Sequence, residues 1–168
     1  SDLVGVRGPG FADRGRPGVA VDVSADRSAA AVVVCGARAD ELPHVEVVAQ
    51  TGFASPSGEA YEGIGWVRGV LDMLSVERPR ALVIDEWAAA GLDLADLEVE
   101  RATPSKMVQA CGAFYDAVTR AEMRHIDQGS LAAAVAGARK RELAASWAWD
   151  RKDSRVDLTP LVAVTLAL

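Results

Sequence analysis

The chain has 168 residues, half of them hydrophobic and a quarter charged, with 24 acidic against 18 basic side chains and a net charge of −6. That composition excludes intrinsic disorder and suits one compact domain with a real core. The acidic balance argues against a self-sufficient nucleic-acid binder, and no apolar stretch reaches the roughly 18 residues of a membrane span.

Residues 1–17, rich in Gly, Arg and Pro without periodicity, are expected to form a linker or arm, and residues 18–168 the folded domain. The opening residues show no basic-then-apolar leader pattern. Val19 to Val23 reads as a strand, "ADRS" as its turn, Ala29 to Ala37 as a second strand and Val45 to Ala49 as a third. Turns this short make an antiparallel meander. After the loop "TGFASPSG" the period changes, and from Glu59 onward Ile64, Val67, Leu71 and Leu74 keep the spacing of an amphipathic helix. "ALVID" (81 to 85) is a short apolar run ending in a carboxylate, as expected of a central strand covered on both faces.

A short helix is expected over Leu92 to Leu97 and a fifth strand over Val99 to Ala102. Ser105 is expected to cap a helix that puts Met107, Cys111, Phe114 and Val118 on one face. Ser130 opens a further helix, read from Leu131 to about Trp147, and the chain ends in "TPLVAVTLAL", with Pro160 in a first helical turn. Three antiparallel strands succeeded by alternating helices and strands make an α/β domain with helices on both faces, in the order of the ribonuclease H-like fold. Cys35 and Cys111 each lie in apolar runs and read as buried free thiols of a reducing compartment.

The chemistry concentrates in carboxylates. Asp22 interrupts a Val/Ala strand, where a buried charge is costly unless something positive meets it. Asp85 ends the strand expected beside it, with Glu86 next in sequence as an alternative. Like charges that close need a proton or a cation between them, and carboxylate-rich sites suit Mg²⁺ or Mn²⁺. A third acid is available before the last helix, as Asp153 or Asp157, although Asp157 also reads as a helix cap. Three such acids can hold two divalent ions for phosphodiester hydrolysis. Asp26 reads as a turn residue, His125 as structural, and the Trp residues at 66, 87, 147 and 149 as packing groups.

Between residues 139 and 155, Arg139, Lys140, Arg141, Arg151, Lys152 and Arg155 outnumber Glu142, Asp150 and Asp153. This reads as a solvated helix face or as a basic strip for a phosphate backbone. No phosphate loop, C-x-x-C, H-E-x-x-H or G-x-S-x-G motif is present. The turn "VSADRSAA" also lacks the glycine that actin-like ATPases place after their first strand.

"GVAVDVSADRSAAAVVV", "ALVIDEWAAAGL", "KMVQACGAFYDAVTRAEMRHIDQGSLAAAVAGARKR" and "VDLTPLVAVTLAL" together resemble the C-terminal nuclease domain of phage large terminase subunits, above all those of actinobacterial phages and prophages. The resemblance runs over residues 18 to 168. It implies a ribonuclease H-like endonuclease that cuts concatemeric viral DNA with two Mg²⁺ or Mn²⁺ ions, held by Asp22, Asp85 and, as the acid nearest the last helix, Asp157. It further implies double-stranded DNA, a packaging ATPase domain, a small terminase subunit and a portal as partners, and the cytoplasm of an infected bacterial host. Residues 1–17 then become the interdomain linker. The readings set against it are another ribonuclease H-like nuclease, of resolvase or integrase type, and a non-catalytic docking module of the packaging motor.

Overall fold

The structure, a computed structural model, describes residues 15–152 and 156–168. Three strands, β1 (Gly18–Val23), β2 (Ala30–Ala37) and β3 (Pro43–Gln50), pair antiparallel as a meander. The β1–β2 turn closes with Arg27 at φ 61°, steadied by Asp26, whose Oδ1 accepts from the Ser24 hydroxyl and from the amide and hydroxyl of Ser28. The chain then crosses through α1 (Val67–Val76) to β4 (Ala81–Asp85), which pairs parallel with β1. The α1 helix starts later than its sequence period suggests. Residues 59–66 form a loop in which Tyr61 stacks on Trp66.

The single turn α2 (Glu86–Ala89) continues directly from β4, and residues 92–97 form turns where a short helix was expected. Next come β5 (Glu100–Ala102), parallel to β4, and α3 (Pro104–Thr119). The α3 cap is Thr103, whose hydroxyl accepts from Lys106 N at 3.3 Å, with Pro104 in the first turn; Ser105 lies inside the helix. Two residues, β6 (Arg124–His125), add to the outer edge of β3. Beyond them the Gln128 side chain completes that edge, with Oε1 accepting from Val47 N and Nε2 donating to Val47 O, both at 2.8 Å. The six-stranded order is β5-β4-β1-β2-β3-β6.

The largest departure from the sequence reading lies after α4 (Gly129–Gly137). The helix expected to run to Trp147 stops at Gly137, where any Cβ would overlap the Val156 side chain. Residues 140–149 fold instead into a hairpin of β7 (Lys140–Leu143) and β8 (Ser146–Trp149), turning with Ala144 at φ 31°. Trp147 and Trp149 pack edge-to-face on each other and on Tyr115 and Phe114 of α3. That aromatic burial outweighs the helix propensity of the Ala, Lys, Arg and Glu residues nearby.

The final helix, α5 (Thr159–Ala167), is buried almost throughout. It lies against β1 and β2 on one side and α3 and α4 on the other, so it carries no polar stripe. Its Thr165 hydroxyl donates to Leu161 O at 2.8 Å and accepts from the Trp149 indole at 3.0 Å. Two cores result. Side chains such as Val21, Val32 and Val34 meet α1 on one sheet face, and Ala20, Ala31 and Val33 meet α5 on the other. Cys35 and Cys111 are both buried and free, and burial pushes both thiols up from their ordinary pKa.

Candidate active site

Alternation along β1 sends Ala20 and Asp22 to the α5 face. Because β1 and β4 run parallel with Val21 opposite Ile84, Asp85 lies beside Asp22 at the same end of the sheet. Both side chains are buried, Asp22 to 1% exposure. Asp85 also caps α2, its Oδ2 accepting from Ala88 N at 3.3 Å.

The cation that meets them comes from the segment after the hairpin. Arg151 donates through Nη2 to Asp22 Oδ1 at 2.8 Å, lies 3.7 Å from Asp85 Oδ2, and reaches Val23 O through Nη1 at 3.4 Å. Burial still dominates at Asp22. It drives the carboxyl up to about 7, with Asp85 adding to the rise and Arg151 opposing it. Burial works against the Arg151 charge too, but the two carboxylates more than offset it and its pKa rises.

Asp157 stands apart from this pair. It is exposed, just ahead of α5, and its Oδ1 accepts from the amide and hydroxyl of Thr159 at 2.9 and 2.7 Å. Its Oδ2 accepts from Gln50 Nε2 at 3.0 Å. Gln50 lies opposite Ala31, and Ala31 opposite Asp22, so one row across the sheet links the third acid to the first. Gln50 is a member of this corner that sequence reasoning missed. A lone Gln at a strand end carries no local signal. Its Oε1 is buried and has no hydrogen-bond partner among the described residues.

The structure thus brings Asp22 and Asp85 together. Among the described residues no group of three His, Cys, Asp or Glu side chains is close enough to hold a metal ion. Asp153 and Arg155 lie outside the described residues. Glu86 is exposed in the first turn of α2. The donors nevertheless fit a hard divalent ion. Two carboxylates at adjacent strand ends already share one cation, and a buried amide oxygen beside Asp157 has no partner among the described residues.

The basic residues divide. Arg139, Lys140, Arg141 and Lys152 are exposed. Lys140, however, places its ammonium 4.0 Å from the Tyr115 ring centroid and 4.3 Å from that of Trp147. Of the tryptophans, Trp66, Trp147 and Trp149 pack against other rings, whereas Trp87, two residues beyond Asp85, is 77% exposed. His125 is exposed on β6 and accepts through Nδ1 from Asp127 N.

Three solved structures share this fold. The large terminase of bacteriophage HK97 superposes with a TM-score of 0.72 at 15% identity, over 94% of this chain and 40% of that one. The chain has the fold of a large terminase nuclease. The large terminase nuclease from thermophilic phage G20c matches with a TM-score of 0.64 at 14% identity, over 94% of this chain and 83% of that one. The same G20c nuclease with bound magnesium gives 0.64 at 13% identity, over 94% and 82%. The mixed sheet is thus the ribonuclease H-like one expected from the element order, and the chain spans about 40% of the length of the HK97 terminase. No family model and no curated protein matches the sequence.

Proposed function

We infer that this chain is a metal-dependent DNA endonuclease of a viral packaging machine, cleaving concatemeric DNA by two-metal phosphodiester hydrolysis. One observation carries the reading: in a terminase-nuclease fold, Asp22 and Asp85 share a buried sheet end that requires a cation. Asp22 and Asp85 would hold Mg²⁺ or Mn²⁺, with Asp157 as the third ligand, steadied by Gln50 and Thr159. Such ions, when bound, supply an activated water and charge for the leaving 3′-oxygen. The chain's own part is to set the carboxylates on adjacent strands, where the ladder fixes their separation, and to keep both side chains buried. Arg139, Arg141 and Lys152 offer charge to the phosphate backbone, with Arg155 beside them in sequence.

The partners are double-stranded DNA, a packaging ATPase domain, the small terminase subunit and the portal, in the cytoplasm of the infected host. Among the described residues no helix is long and apolar enough to cross a membrane. Supercoiled plasmid incubated with the chain and Mn²⁺ should be nicked and linearised without discrete fragments, and EDTA should abolish cutting. EDTA-resistant cleavage would refute the metal mechanism. A second reading, a docking module of the motor, has one observation in its favour: Arg151 already satisfies the acid pair. A folded chain that takes up no Mn²⁺ at millimolar concentration and leaves plasmid intact would establish that reading.

A further inference from the structure

Arg151 belongs in sequence to the basic strip, yet its guanidinium faces the acids. The segment that delivers it is braced. Asp150 N donates to Arg139 O at 2.7 Å across the hairpin base, and Asp150 Oδ1 accepts from Lys152 N at 3.0 Å. Trp149 ties the same strand to α5 through Thr165. Held this way, the Arg151 side chain is 28% exposed, and Nη2 reaches both Asp22 and Asp85.

We propose that Arg151 is a built-in counter-cation: it holds the acid pair together in the metal-free domain and has to withdraw when a divalent ion enters. The inference rests on the metal-site reading above. A guanidinium and a divalent ion compete for Asp22 Oδ1, and in a weakly screened corner they also repel each other. Withdrawal leaves a planar five-donor fork at the rim of the site, a geometry matched to phosphate. Metal entry therefore converts an acid-binding arginine into a phosphate-binding one. By linkage, DNA that captures the released fork tightens metal binding, and metal tightens DNA binding.

Calorimetric titration of Mn²⁺ into wild type, Arg151→Met and Arg151→Lys decides the matter. It is run in mildly alkaline buffer, so that protons do not replace the removed charge, and beside thermal melts in EDTA. The Met variant should bind Mn²⁺ on the order of tenfold more tightly while melting lower than wild type in EDTA. The Lys variant, which keeps the charge without the fork, should fall between the two in both measurements. Unchanged or weaker Mn²⁺ binding by a folded Met variant overturns the inference and leaves the metal site standing. If the Met variant does not fold, the Lys variant decides by the same criterion. No Mn²⁺ binding by any folded form overturns the metal site and this inference together.

Discussion

Asp22 and Asp157 belong to one corner of the sheet, joined through Ala31 and Gln50, yet they are held in opposite ways. Asp22 is buried on a strand, against a guanidinium. Asp157 is exposed on a connecting segment, held by an amide side chain and by the amide and hydroxyl of Thr159. A strand-borne acid has its position set by the ladder, at the cost of desolvating its charge. An exposed acid keeps its charge at little cost, and its position depends on whichever neighbours donate to it. The corner combines a rigid half under electrostatic stress with a half that side chains can retune.

The sharpest way to break this contrast is to neutralise the rigid half. Asp22→Asn or Asp85→Asn should reduce Mn²⁺-dependent plasmid cleavage on the order of 10³-fold, since ligand loss removes several kcal/mol of charge stabilisation. Full cutting by Asp22→Asn would mean that Asp22 serves only Arg151.

The electrostatic stress has its own signature in the metal-free protein. Burial raises the Asp22 carboxyl from 3.8 to about 7, so between those values the folded state holds a proton that the unfolded state has released. Stability should therefore fall as pH rises through that window and level off above about 7, by a few kcal/mol at most. Asp22→Asn should remove this component, so the difference between the two melting curves across pH isolates it. Parallel curves would show that Asp22 is not under this stress.

The adjustable half should respond differently. Gln50→Leu removes the donor to Asp157 together with a buried oxygen that has no partner among the described residues, so stability should change by less than about 1 kcal/mol while cleavage drops roughly tenfold. Asp157→Asn should likewise spare stability, because an Asn oxygen can still accept from the amide and hydroxyl of Thr159 just ahead of α5, and yet lose cleavage and Mn²⁺-induced stabilisation. Asp153→Asn should stay near wild type. Should Asp153 prove essential and Asp157 dispensable, the third ligand is misassigned while the mechanism stands.

The smallest effects belong to the hairpin, where the same contrast holds among cations. Lys140 lies over the Tyr115 and Trp147 rings, so Lys140→Ala should cost about 0.5–1 kcal/mol of stability and change DNA affinity little. Arg141→Ala should leave stability level, weaken DNA binding and lower the salt slope by about 1, as for one phosphate contact. The Arg139, Lys140, Arg141 triple Ala variant should lower both affinity and slope. Tight binding unchanged in that triple variant would place the DNA surface elsewhere.

Much of this corner is legible in the sequence. Alternating or unbroken apolar runs with short polar turns specify the first three strands, and "ALVID" specifies the fourth, because strand burial needs only a local pattern. A lone Asp in such a run calls for a positive partner, and the fold supplies Arg151. The segment beyond Gly137 is not legible in this way. Ala, Lys, Arg and Glu favour a helix locally, and only the docking of Trp147 and Trp149 on α3 makes the hairpin. The basic strip likewise reads as one surface, whereas the fold turns Arg151 inward to an acid 129 residues away and leaves Arg141 outside. Local periodicity records which face of an element is buried. It carries no information about which distant charge arrives there, and that was decided only when the segment after the hairpin brought Arg151 to the end of the sheet.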